Sequence, residues 1–148
     1  MTAYGPEIIA RIAALCAAEP ARESCGFVVR RAGKLEVVAI PNVADRYHEA
    51  FPARFPRTSR ESYLMDPRAQ LRLQADLAAL GGEIAAVWHS HVETGAHFSE
   101  KDRADALIDG APVLPGAEYL VFGLRAGKVT EARRFVLEGG AFVEADLG

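Results

Sequence analysis

The stretch that constrains this chain most is EIAAVWHSHVETGAHFSEKD, residues 83–102. Its first six residues are an almost wholly apolar run of strand length, the mark of a buried strand. The run ends on His89 and His91. Lying two apart in a strand, they point to the same face at its C-terminal end, and Ser90 points the other way. Seven residues later SEKD opens a helix, with Ser99 as N-cap and Asp102 as the acid of a capping box. The helix predicted over SEKDRADALIDG offers Ala104, Leu107 and Ile108 to the core. A seven-residue loop can fold that helix start back over the strand end.

The flanking segments supply the layers. Pro6 opens a helical pattern in which Ile8, Ile12, Leu15 and Cys16 share a face, and Pro20 closes it. CGFVVRR and LEVVAI are apolar, β-branched runs joined across Ala32, Gly33 and Lys34, a hairpin signal. Segment 41–59, with three prolines and no period, reads as a long surface loop; such loops in small domains tend to be functional. ESYLMD reads as a short strand. PRAQLRLQADLAALGG is a helix, with Pro at its start, Leu73, Leu77 and Leu80 along one face and a glycine pair at its end. AEYLVFGLRAGKVTEARRFVLEGGAFVE gives three strands, separated by AGK and EGG. Helices and strands thus mix, with adjacent hairpins at both ends of the chain. That pattern is an α/β sandwich of the α+β kind rather than a strict doubly wound sheet. With 148 residues, half of them hydrophobic, residues 1–148 suit a single domain.

Charge and apolar patterning exclude several classes. A formal net charge of −3, from 17 Lys plus Arg against 20 Asp plus Glu, lacks the basic stripe of a nucleic-acid binder. The arginines of RYHEAFPARFPRTSRE are interrupted by acidic and apolar residues, so that segment reads as a polar loop rather than an anion-binding patch. No apolar run approaches the roughly 20 residues of a membrane span. Glu7 and Arg11 interrupt the apolar start, which therefore does not read as a signal peptide. A cytoplasmic location is expected. Cys16 and Cys25 form no C-x-x-C unit and no disulfide framework, and read as buried free thiols.

His89 and His91 are a sound start for a divalent metal, two neutral nitrogen ligands on a rigid element. A catalytic zinc usually takes three protein ligands and leaves its fourth position to water. His97, Glu93, Glu100 and Asp102 are the candidates for the third. The first turn of the helix after Ser99 favours an anionic ligand through the helix dipole. Helix capping alone explains SEKD, and paired histidines are often only surface residues. The joint pattern H-x-H-x7-S-x2-D is much rarer than either part.

That pattern resembles the signature of the JAMM (MPN+) metalloprotease family, where it follows a strand and precedes a helix. His89, His91, Ser99 and Asp102 match it position for position. ARESCGFVV resembles the family's first strand and places its glutamate at Glu23, and the order of elements is similar over nearly the whole chain. The resemblance implies an MPN-like fold, a mixed curved sheet flanked by helices. It implies one Zn²⁺ per chain held by His89, His91 and Asp102, with water as fourth ligand. Glu23 would be the general base that carries that water's proton to the leaving amine, and Ser99 the hydroxyl donor to the oxyanion.

Val87 and Trp88 belong in the core, and Ser90 is placed to orient neighbouring backbone. Glu93 and His97 read as solvated residues of a loop over the metal. His48 lies in segment 41–59, a candidate wall of the cleft, and Cys25 reads as a core residue rather than a second nucleophile. Two positions depart from the family pattern: Val92 where many members carry proline, and Gly123 where relatives often carry serine.

The chain is similar to the compact bacterial branch, with little room for the insertions by which eukaryotic relatives grip ubiquitin. The expected substrate is an amide bond at the C-terminal Gly-Gly tail of a ubiquitin-like or sulfur-carrier protein, the tail adding to a strand edge beside the metal. Alternatives are a phage-tail-type or other peptidase and a non-catalytic MPN interaction module, which metal-free but folded protein would mark. A zinc hydrolase on a small amide, such as a deaminase, ranks last, since nothing resembles H-x-E with P-C-x-x-C. A homodimer is compatible with this reading, as are divalent ions other than zinc.

Overall fold

The computed structural model describes residues 4–147. In chain order the elements are α1 (Pro6–Ala18), β1 (Cys25–Arg31), β2 (Lys34–Ile40), α2 (Ala44–Ala50), α3 (Pro67–Leu80) and β3 (Glu83–Val92). There follow α4 (Glu100–Ala106), β4 (Leu107–Ile108), β5 (Ala111–Pro112), β6 (Glu118–Arg125), β7 (Lys128–Glu138) and β8 (Ala141–Ala145). Six strands form one sheet in the order β2-β1-β3-β6-β7-β8, and β4 pairs with β5 apart from it. Within the sheet β3 and β6 are parallel and the other pairs antiparallel. The architecture is the expected α+β one, a mixed sheet with helices packed on it.

Alternation along β3 divides two cores. Val87 joins Phe27, Val29 and Val121, with Leu73 and Leu77 of α3, on one face. Ala86 and Trp88 join Val28, Leu120 and Phe122, with Ile12 and Cys16 of α1, on the other. The fully buried Trp88 needs the glycine opposite it on β1. Gly26 pairs with Trp88, and a Cβ there would lie 2.6 Å from the indole and 2.1 Å from the Val38 carbonyl oxygen. The indole N–H donates to the Phe27 carbonyl at 3.2 Å, so this large side chain leaves no polar atom unpaired. Cys16 and Cys25 are buried free thiols, as expected. No helix of the described residues is long and apolar enough to cross a membrane.

Three segments differ from the sequence reading. Segment 41–59 contains α2, a helix without an apolar period that is held by its neighbours instead. Asp45 accepts from the backbone N–H and hydroxyl of Ser59, both at 2.7 Å, and Tyr47 meets Phe55 edge-on. ESYLMD does not form a strand: Met65 makes an isolated bridge to Asn42, and the Asn42 side chain bonds Ser62 and Leu64 where a partner strand would. The helix after Ser99 stops at Ala106, because a turn with positive φ at Asp109 and Gly110 folds Leu107–Ile108 back as a hairpin. Ala104 and Ile108 are therefore exposed, Leu107 packs against the core as expected, and Ala106 is buried beside it. Leu80, at the last position of α3, is also exposed.

Candidate metal centre

His89 and His91 occupy the end of β3 on the face of Val87, and both are buried. Their Nε2 atoms are 3.1 Å apart. Asp102 Oδ2 lies 3.2 Å from the first and 3.3 Å from the second. An ion bound tetrahedrally at about 2.0–2.1 Å sets its ligand atoms roughly 3.3–3.4 Å apart. The three donors therefore form one face of such a tetrahedron, close to the required size.

At His91 the hydrogen bonding fits a metal as well, whereas His89 Nδ1 is buried without a hydrogen-bond partner. His91 Nδ1–H donates to the Gly95 carbonyl at 2.9 Å, which leaves the Nε2 lone pair facing His89 and Asp102 in the neutral ring. Burial drives His89 below the ordinary histidine pKa. His91 feels the same burial, but the Asp102 carboxylate and the Gly95 carbonyl outweigh it and raise its pKa. Burial also opposes the Asp102 carboxylate. Both histidines and the Ser99 N–H overcome it and hold the group well below the usual carboxylate range. The capping box is present and shares this atom: Oδ2 accepts from Ser99 N–H at 3.0 Å, while Ser99 Oγ accepts from Asp102 N–H at 3.0 Å. The cap and the donor set share one side chain, fixed by the helix start.

Glu23 reaches the centre through register. Cys25 pairs with His89 in antiparallel β1–β3, and Ser24 continues the match: its carbonyl accepts from the Ser90 backbone N–H at 3.0 Å. Ser90 Oγ accepts from Ser24 N–H at 2.8 Å, the orienting role expected of it. One step further, Glu23 comes level with His91. Its carboxyl is buried, and this pushes its pKa up to about 8, with His91 opposing and Asp102 reinforcing the shift. Glu23, His91, Ser99 and Asp102 line one cleft of about 200 Å³, together with Tyr63 and Lys101.

The other candidates lie as follows. Glu93, Glu100 and His97 are exposed and outside the donor cluster, although the His97 ring lies 4.8 Å from that of His91 and lines the cleft. Glu93 instead accepts from Ala126 N–H. His48 bonds the Phe55 carbonyl and lies off the cleft wall, to which segment 41–59 contributes Arg57. Burial raises the Cys25 thiol to about 12, which leaves it un-ionised and inert as a nucleophile near neutrality.

Two residues that sequence reasoning missed shape the site. Tyr63 stacks on His89, ring centres 4.6 Å apart. Asn42 uses its whole amide. It donates to the carbonyls of Glu23 (2.8 Å) and Ser62 (3.0 Å) and accepts from the N–H groups of Ala44 and Leu64, both at 3.0 Å. Apart from the Asn42 bond to Ala44, two residues on, their partners are distant in the chain and leave no local motif.

Residues 6–138 match the family described as prokaryotic homologs of the JAB domain. No curated protein matches the chain significantly. A solution structure of a Desulfitobacterium hafniense protein is similar with a TM-score of 0.67 and 22% identity, over 95% of this chain and 87% of that one. Another, from Salinibacter ruber, has a TM-score of 0.59 and 23% identity, over 97% and 88%. At that identity these likenesses speak for the fold. The family match spans every residue of the centre, from Glu23 through His89 and His91 to Ser99 and Asp102, and with the fold it gives the chain its place: it belongs to the prokaryotic homologues of the JAB domain.

Proposed function

We propose that this protein is a zinc-dependent peptidase or isopeptidase that hydrolyses an amide bond at the C-terminal Gly-Gly tail of a ubiquitin-like or sulfur-carrier protein. The observation that carries the reading is the triangle of His89, His91 and Asp102 donors, of which His91 and Asp102 line a cleft together with Glu23 and Ser99. Two imidazole nitrogens and a carboxylate oxygen suit zinc, which supplies an acidified water and a polarised carbonyl when bound. Glu23 would be the group that accepts a proton from that water and passes it to the leaving amine. Burial pushes the Glu23 carboxyl up to about 8; positive charge at the three donors would favour the carboxylate, the form a base requires. Ser99 accepts one hydrogen bond from Asp102 and keeps its hydroxyl hydrogen to donate to an oxyanion. Removing such a donor costs about 2.7–4 kcal/mol of transition-state stabilisation.

The tail docks differently from the sequence expectation. β3 is paired on both sides, by β1 and β6, so no free strand edge borders the metal there. Segment 60–65 takes that part. The Ser62 carbonyl and Leu64 N–H turn toward Asn42, so by alternation the Tyr63 backbone turns the other way, open to an extended peptide. Glycines in the tail let the two backbones approach closely.

Elemental analysis of the wild type and of Asp102→Ala, with folding checked by circular dichroism, tests the centre. About one zinc per wild-type chain and a large loss in the folded variant are expected. Glu23→Gln is expected to retain metal and to abolish cutting of a carrier bearing a Gly-Gly-X tail. Undiminished cutting by that variant sinks the mechanism, and metal-free, folded wild type puts the interaction module in its place.

A further inference from the structure

Beside the metal cleft lies a larger cavity, of about 520 Å³, that the reaction above leaves unassigned. The two adjoin, for Arg57, Ser62, Tyr63 and Lys101 line both. The partition is Tyr63, whose ring stacks on His89 at 4.6 Å. One peptide residue spans about 3.3–3.6 Å, so a chain over the metal reaches the cavity within a residue or two. Beyond the partition the walls are apolar, among them Phe27, Leu64, Val87 and Leu114. The volume is that of a ligand site rather than a packing gap. The mouth differs in chemistry. Arg54, Arg57 and Lys101 stand there against one acid, Asp105, which is paired with Lys101. Among the described residues no carboxylate pairs with Arg54 or Arg57. Glycines leave such a volume empty, and the two guanidinium groups, Arg54 lying over the Phe55 ring, have no paired carboxylate.

We propose that this cavity is a specificity subsite for a large apolar side chain, aromatic or branched, whose residue ends in a free C-terminal carboxylate. The proposal rests on the peptidase reading of the metal cleft and narrows its substrate class. The tail lays its glycines over the metal and its last residue into the cavity, with the terminal carboxylate on Arg54 and Arg57. Apolar burial holds the side chain, and charge-assisted hydrogen bonds hold the terminus.

The test reads binding, so it stands apart from turnover. The ¹⁵N-labelled full chain is titrated with N-acetyl-Gly-Phe, its C-terminal amide and N-acetyl-Gly-Ala, and followed by NMR. The phenylalanine acid is expected to bind at least tenfold more tightly than either other probe, with shifts centred on Leu64, Leu114 and Tyr119. The double variant Arg54→Gln/Arg57→Gln is expected to erase the preference for acid over amide while keeping that for Phe over Ala. Val113→Trp, at a lining position 44% exposed and so tolerant of bulk, is expected to fill the mouth and erase the preference for Phe. Equal affinities, no binding, shifts centred elsewhere or a preference that survives its variant overturns the proposal. Failure of the peptidase reading shows separately, as zinc-loaded protein that binds the acid probe in this cavity and cuts no Gly-Gly-Phe tail.

Discussion

At Glu23 the fold raises a carboxyl pKa from 4.5 to about 8, so the folded chain holds the proton more tightly than the unfolded one. The stability linked to this group is full below about pH 4.5 and is lost as pH rises to about 8. In chelated protein, the melting temperature is expected to carry a downward contribution across that window, and Glu23→Gln to remove it. An identical pH profile in wild type and variant would assign the slope to another group. Gly123 offers a second reading at this scale. It pairs with His91, and a Cβ there would lie 2.6 Å from the Thr94 carbonyl oxygen. A serine cannot be added there without moving the loop that carries Gly95, the partner of His91 Nδ1–H. Gly123→Ser is expected to weaken zinc binding by roughly 10–100-fold, the usual penalty for losing a ligating histidine's outer partner. Calorimetric titration of the folded variant checks it.

Among the elements, the Asn42 amide joins Glu23, α2 and segment 60–65, beside the backbone bonds Glu23 N–H to Ser59 and Val43 N–H to Leu64. Asn42→Ala removes four hydrogen bonds at about 1 kcal/mol net each and strips the Glu23 and Ser62 carbonyls of a donor. A loss of roughly 3–4 kcal/mol in urea unfolding is expected, with faster hydrogen exchange at the Leu64 N–H. This join also marks where the sequence stopped being readable. α1, α3 and the sheet strands carry apolar periods and breakers, so their patterns name them. α2 has no such period and rests on Ser59 and Phe55, partners no local window contains. ESYLMD has the residues of a strand, but an Asn42 side chain stands where its ladder would be. The early end of α4 was legible: Asp109–Gly110 is a hairpin signal that the helical pattern of the residues before it masked. His89, His91, Ser99 and Asp102 lie within one short window, which is why they read so clearly; Tyr63 and the 520 Å³ cavity are assembled from separate segments and had no such signature.

For the whole molecule, the centre ties β3 to the start of α4, with Glu23 of the segment before β1 beside them. A bound ion is therefore expected to raise the stability of the entire fold. Free ion at a hundred times its dissociation constant adds about 2.7 kcal/mol. Chelation is expected to lower the melting temperature of the wild type and to leave that of folded Asp102→Ala unchanged. A wild-type melting temperature indifferent to chelator would count against metal at these donors. The strand order bears on how the chain is made. β1 lies between β2 and β3, and two helices separate β2 from β3 in the sequence. As the polypeptide leaves the ribosome, β1 emerges with one edge paired to β2 and the other bare until β3 has been synthesised. Through that interval Phe27 and Val29 ride on an unpaired edge, open to strands of neighbouring nascent chains. The edge that later seats Glu23 beside the histidines is, during synthesis, the one most in need of a chaperone.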